Sequence, residues 1–397
     1  MPSTGMPARL PRTVVVLGFV SLLNDGASEM ITPLLPVFLT ATLGAGPAIV
    51  GLIEGIAEAT ASVLKLVAGR LSDRGVGAKR LVFGGYGIAN LARPAIGFAL
   101  GWPIVLLLRF LDRVGKGIRT APRDALIAGA AAATIRGRAF GFHRAMDHAG
   151  AVIGPIVAFA LLTSGTALGR VFLWSAVPGA AVLVLLAVGV PADAPLVRSA
   201  PPPQLSWRGL DANLRALIIA AAMLALASIP EVFVVLWARD AGLPVAWVPL
   251  VWAAASLTKM LVAYPAGVVS DRLGRMPVLL AGWGLRVLVL LALAGAHATG
   301  AEIWILFVAY SATLAVTEPA ESSLIGDSAP AAQRGTAFGL YHLASGLFVL
   351  PGSVILGLIW QHASSAAAFS TAALLTAAAA IGMALTARSR TRRTRDG

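Results

Sequence analysis

Carboxylates and guanidiniums recur inside otherwise apolar stretches of this chain, at spacings of one helical turn. Asp25 and Glu29 stand four residues apart, as do Glu54 and Glu58. Each pair shares a helical face, where mutual repulsion raises at least one proton affinity. Further along, Arg109, Asp112, Arg113, Lys116 and Arg123 fall near i, i+3, i+4, i+7 and i+14 and form a single stripe. Asp112 has Arg109 and Lys116 within a turn, and Asp147 has His143 and Arg144, so local ion pairs are available to both. The chemistry of such groups is the binding and release of protons and the holding of counter-charges. Bond-making chemistry has no comparable signal: the chain contains no His-Glu-x-x-His, no Gly-x-Ser-x-Gly, no Walker A loop and no dinucleotide fingerprint. Gly115-Lys116-Gly117 resembles a phosphate loop only superficially. Cysteine is absent, which excludes disulfides, thiol catalysis and Cys-ligated metals. His143, Asp147 and His148 could supply part of a metal site, but no second ligand cluster accompanies them. No enzyme activity, cofactor or metal is expected.

The elements that must position these residues are membrane spans. With 58% hydrophobic and 12% charged residues and a mean hydropathy of +0.83, the chain has too little polar surface to coat a soluble globule. A spanning helix needs ~20 largely apolar residues. Such runs tile the sequence at 13–39, 47–70, 80–100, 102–123, 137–163, 169–190, 213–239, 245–270, 277–297, 301–326, 334–359 and 363–387. At ~1.5 Å rise per residue, Asp25, Glu58, Asp112 and Asp147 then lie about 15–18 Å from their entry surfaces. The first half places Asp25, Glu29, Glu54, Glu58, Arg109, Asp112, Arg113, Lys116, Arg144 and Asp147 in its spans. At ~2.5–3.5 kcal/mol each in lipid, they would cost roughly 25–35 kcal/mol, more than a typical folding stability of ~5–15 kcal/mol. They must be paired, protonated or hydrated.

The net charge of +13 has a topological explanation rather than a nucleic-acid one. Lys and Arg concentrate in the terminal segments and even-numbered connections, whereas Arg170 and Arg239 alone fall on the other side. The positive-inside rule then puts both termini in the cytoplasm. The apolar run after Arg9 and Arg12 reaches Leu39, too long for a secretory h-region, so the first span is expected to be retained. The division expected is an N-terminal bundle over 1–190, a stiff Pro-rich cytoplasmic linker over 191–212, a C-terminal bundle over 213–387 and a basic, lipid-facing tail over 388–397. Most Trp residues, among them Trp237, Trp247, Trp304 and Trp360, stand near span ends and read as interfacial anchors.

Two motifs recur at an offset of 198 residues. Gly69-Arg70-Leu71-Ser72-Asp73-Arg74 returns as Gly267-Val268-Val269-Ser270-Asp271-Arg272, and Arg136-Gly137-Arg138-Ala139-Phe140-Gly141 as Arg334-Gly335-Thr336-Ala337-Phe338-Gly339. A period of half the chain points to two pseudo-symmetric membrane halves. The first pair resembles the paired cytoplasmic loop motif of the major facilitator superfamily, with an extra residue around Gly75–Gly77 in copy one and Val269 in place of Leu in copy two. The resemblance implies an all-α membrane protein of twelve transmembrane helices in two six-helix bundles. It also implies a conformational latch at Gly69, Asp73, Arg74, Gly267, Asp271 and Arg272. Gly150-Ala151-Val152-Ile153-Gly154-Pro155 is similar to the antiporter motif of the drug and proton exchange branch, with Gly150, Gly154 and Pro155 as hinge. Ordinary close helix packing accounts for the two glycines equally well. Arg109 looks like the superfamily's intramembrane arginine, although Asp112 and Arg113 stand where Gln and Gly are common. The function expected is proton-coupled efflux of a small organic molecule by alternating access. Proton-coupled uptake of a small anionic solute is the runner-up, and a non-transporting membrane sensor the alternative from another class. Proton-coupling candidates are Asp25, Glu29, Glu58, Arg109, Asp112, Arg113 and Asp147; substrate-cavity candidates are Trp252, Tyr341 and His342. Expected partners are the substrate, protons and membrane lipids, with no nucleic acid and a monomeric chain.

Overall fold

A computed structural model describes residues 10–73, 77–131, 136–191, 212–328 and 334–393, and among them helix is the only regular secondary structure. The first crossing segment is α1 (Arg12–Glu29), a break, α2 (Leu35–Val37) and a π-helical turn over Phe38–Thr42. Pro33 and Pro36 supply the cause of the break, since neither has an N–H to donate to the ladder. The second to fifth segments are α3 (Pro47–Asp73), α4 (Ala78–Ala95), α5 (Trp102–Ala130) and α6 (Arg136–Thr163). The sixth joins α7 (Leu168–Trp174) to α8 (Ala176–Gly189), and the seventh joins α9 (Ala212–Ala227) to α10 (Glu231–Asp240) across an interruption that ends at Pro230. The last five are α11 (Val248–Leu273), α12 (Arg275–Gly295), α13 (Ala301–Ser328), α14 (Arg334–His362) and α15 (Ser365–Arg393).

Among the described residues, nine of the twelve segments are long and apolar enough to cross a bilayer. The other three, the first, third and fourth, are the ones that carry Asp25, Glu29, Arg93, Arg109, Asp112 and Arg113. Outward-facing side chains such as Leu91, Val188, Leu288 and Leu374 are more than half exposed, a surface suited to lipid rather than water.

The sequence repeat is also a repeat of elements. Arg136 opens α6, and its counterpart Arg334 opens α14. The second copy of the loop motif lies within the end of α11 and is followed by a one-residue turn into α12: Gly274 has φ 93°, a left-handed conformation that other residue types seldom adopt. Gly267 is half-buried and Arg272 exposed. Arg74 lies outside the described residues, as do the side chains of Asp73 and Asp271; Gly69 is a backbone position of α3. Residues 192–211 of the linker and 394–397 of the tail are likewise outside them.

By contact, the chain forms two compact units, Met1–Thr32 with Val63–Pro202, and Pro33–Ser62 with Pro203–Gly397. In the first unit α1 packs on α6 and α8, and α4 on α5. Val14, Leu17 and Val20 of α1 meet Val82 and Tyr86 of α4 and Val182 and Leu186 of α8 in one apolar cluster. Glycines set how near these helices come. A Cβ at Gly154 would run into the carbonyl oxygen of Gly26, and one at Gly150 into that of Leu22, so α1 and α6 touch backbone to backbone. Gly85 and Gly115 do the same for α4 and α5. α6 continues unbroken past Pro155.

In the second unit α11 packs on α13, α12 on α13 and α15, and α9 on α14. Residues 33–62 belong to this unit through specific contacts. Ser353 donates to the carbonyl of Gly51 at 2.8 Å, Arg239 donates to Thr40 at 3.0 Å, and Pro47 lies against Gly357. Trp360 is buried between Phe233 and Phe369, with ring centroids at 5.6 and 5.4 Å. Trp237 is also buried, so the reading of these two Trp residues as interfacial anchors is corrected: position near a span end does not tell which way a ring faces. Trp174 and Trp247 are about half exposed, as an anchor requires.

Candidate functional site

The first unit holds a buried ionic group built from three helices. Asp112, about a third of the way along α5, is 1% exposed, and both of its oxygens are engaged by arginine. Arg93 of α4 donates Nε to Oδ1 at 2.7 Å. Arg109, one turn before Asp112, donates Nη1 to Oδ2 at 3.3 Å, and Arg113 Nε stands 3.8 Å from the same oxygen. Arg93 also donates Nη1 to the Asn24 side-chain oxygen at 2.9 Å and to its backbone carbonyl at 3.2 Å, tying α1 to the pair. Asn90 of α4 adds to the link by donating Nδ2 to the Asn24 side-chain oxygen at 3.4 Å. Two turns further along α5, Arg119 is 4% exposed and stacks its guanidinium on the Tyr86 ring, 4.3 Å from the centroid.

The α1–α6 seam carries the remaining acids of this unit. Asp147 of α6 accepts a hydrogen bond from Ser21 of α1, with His143 Nδ1 at 3.5 Å and Arg144 at 3.8 Å. One turn along α1, Asp25 accepts from Asn24 at 2.9 Å and packs its Cβ where a side chain at Gly150 would have to go. Both carboxylates keep partial exposure, unlike Asp112. Glu29 ends α1 and is half-buried. Glu58 is half-buried too and belongs to the second compact unit.

The second unit has its own polar sites. Glu231 opens α10 directly after Pro230 and accepts from Lys259 of α11 at 2.8 Å and from buried Ser311 of α13 at 2.7 Å. Lys259 also lies over Trp252, 5.8 Å from the ring centroid, and Trp252 packs edge-on against Phe307. Trp252 is thus beside an ion pair. Tyr341 donates to Glu321 at 2.8 Å, and Trp283 donates to the other oxygen of Glu321 at 3.3 Å. His342 is exposed and its ring stands edge-on to Tyr341 at 5.3 Å. Trp252 and Tyr341 therefore belong to separate clusters. Among the described residues no group of three or more His, Asp or Glu side chains is arranged to hold a metal ion.

Sequence reasoning paired Asp112 with Arg109 and Asp147 with His143 and Arg144, and these pairs are present. It missed Arg93 and Arg119. Arg93 had a usable signal, a cation in the middle of the apolar run 80–100. Arg119 stands on the α5 stripe between Lys116 and Arg123.

The family model for the Major Facilitator Superfamily matches residues 17–258 and again 216–397, so the two halves of the chain are both covered. The chain belongs to the Major Facilitator Superfamily. An uncharacterized MFS-type transporter of Methanocaldococcus jannaschii is 29% identical to this superfamily member over 366 residues, 89% of each chain. An uncharacterized protein of Mycobacterium tuberculosis is 30% identical over 366 residues, 88% of this chain and 87% of its own length. Among solved structures, a variant of the nucleoside transporter NupG shares the fold with a TM-score of 0.77 at 14% identity, covering 94% of this chain and 98% of that one. The superfamily member is accordingly a multi-pass membrane protein of the twelve-helix transporter fold.

Proposed function

We propose that this superfamily member is a secondary active transporter that exports a small organic molecule in exchange for protons. The carrying observation is the α1–α6 seam. Asp25 and Asp147 lie one turn apart along it, partly exposed, hydrogen-bonded by Asn24 and Ser21, in the same unit as a strongly cationic buried group. A carboxylate so placed can hold a proton when the unit opens to one side and lose it when it opens to the other. In this reading the bundles 1–190 and 213–387 alternate about the linker 191–212. Gly150, Gly154 and Pro155 define the tight seam, and Asp73, Arg74, Asp271 and Arg272 latch one state. The chain acts as a monomer in the cell membrane with both termini, including the basic tail 388–397, in the cytoplasm, and it has lipid rather than nucleic acid as its other partner. Uptake of a small anionic solute is the second reading, favoured by the arginines gathered around Asp112.

The test is proton movement in proteoliposomes carrying an internal pH dye, with small organic solutes added to either face. Solute-dependent proton flux that disappears in Asp147→Asn or Asp25→Asn supports coupling through that carboxylate. The face on which solute is effective assigns direction. Flux unchanged in both variants removes the α1–α6 seam from the mechanism.

A further inference from the structure

The ionic group of the first unit does not balance. Arg93, Arg109, Arg113 and Arg119 are each less than one-tenth exposed, and the one fully buried carboxylate among them is Asp112. Asp25, hydrogen-bonded by Asn24, adds a second carboxylate at partial exposure, and over these six described side chains the sum is still cationic by two. Donor capacity is left over as well as charge. Arg119 Nε and Nη1 have no hydrogen-bond partner among the described residues, and neither has Arg113 Nε, whose nearest acid oxygen is 3.8 Å away. A guanidinium presents its donors as a planar fork matched to the two oxygens of a carboxylate or phosphate. Stacking on Tyr86 fixes the plane of Arg119 without using that fork.

Resting on the transporter reading, we infer that the cationic face of α5 is the binding track for the transported solute, and that this solute carries an oxyanion, a carboxylate or a phosphate. Arg113 and Arg119 lie six residues apart, about 9 Å along the helix axis and about 120° around it, at the two edges of the stripe. They are successive stations for one anionic group rather than a single chelate. Asp112, locked by Arg93 and Arg109, holds the stripe in place and keeps its charge from overbinding the anion.

Purified full-length protein in a neutral detergent tests this at constant ionic strength, by following thermal unfolding while succinate, inorganic phosphate, choline or dioctanoyl phosphatidylglycerol is titrated. A saturable rise in melting temperature with succinate or phosphate, and none with choline, is expected. Arg119→Gln and Arg113→Gln should each weaken that affinity at least ~10-fold, as loss of a charge-assisted hydrogen bond does. Both variants should still fold, because each removes an incompletely paired buried cation, and unliganded Arg119→Gln should melt at or above the parent temperature. Absence of a saturable shift with succinate and phosphate, equal affinity in parent and variants, or saturation by the anionic lipid alone would each overturn the inference. The outcome also separates from the transporter reading. Anion binding without solute-dependent proton flux keeps the site and removes the transport reading, whereas flux without anion binding does the reverse.

Discussion

Replacing Asp112 with Asn keeps the size of the side chain and deletes a negative charge that lies near three buried guanidiniums. Their distances are 2.7, 3.3 and 3.8 Å. At an effective dielectric of ~20 each pair has a gross attraction of roughly 4–6 kcal/mol. Most of that offsets the desolvation of the ions, so the net loss is nearer the ~3–5 kcal/mol typical of breaking a buried pair from one side. For a unit of this size ~1 kcal/mol corresponds to about 2–4 °C in melting temperature, which puts the expected fall at roughly 6–20 °C. The assay is thermal unfolding in detergent, read by tryptophan fluorescence. The double variant Arg93→Met/Asp112→Asn discriminates the cause. If uncompensated charge is responsible, removing the nearest cation should restore at least half of the loss, despite the bonds from Arg93 to Asn24 that go with it. A fall of less than 2 °C for Asp112→Asn, or a double variant no better than the single one, refutes the charge argument.

Gly154→Ala should cost about 1–3 kcal/mol and reduce transport, because the new methyl meets the Gly26 carbonyl rather than a movable side chain; Gly87→Ala, where nothing lies within 4 Å, is the matched control and should melt with the parent. Glu231→Gln should lower the melting temperature by the equivalent of ~1–2 kcal/mol, discounted because the Lys259 side chain is 32% exposed. Adding Lys259→Met should recover that loss, and a double variant worse than the single one would show that Lys259 has a role apart from the pair.

The twelve segments were legible because lipid imposes one strong constraint, length of apolar run, and the 198-residue repeat reappears as equivalent helix starts at Arg136 and Arg334. The breaks beside Pro33, Pro36 and Pro230 have a local cause too, the missing N–H groups of these prolines. Pairs within one helix were legible as well: Arg109 with Asp112, and His143 with Asp147, are set by helical geometry alone. What the sequence withheld was the polar pairing between helices. Arg93 reaches Asp112 from another helix, Glu231 finds Lys259 and Ser311 on two others, and no spacing rule connects them. Burial direction was hidden for the same reason. Trp237 and Trp174 both sit near span ends, yet one is buried and the other half exposed, according to which neighbours the fold supplies. Glu58 shows the limit at the largest scale, since its place in the sequence lies with Asp25 while its contacts place it with residues some three hundred positions away.

Because residues 33–62 pack with the second compact unit, the polypeptide passes from one unit to the other three times: after Thr32, after Ser62 and in the linker. A gene split at the linker would therefore put residues 33–62 on a different piece from the surfaces they cover. The downstream fragment would lack the strand of chain that covers Leu350, Ser353 and Gln361, and the upstream fragment would carry it without a host. Successful complementation in trans would require that insert to thread back into its foreign surroundings, so the polypeptide is stitched rather than merely tethered.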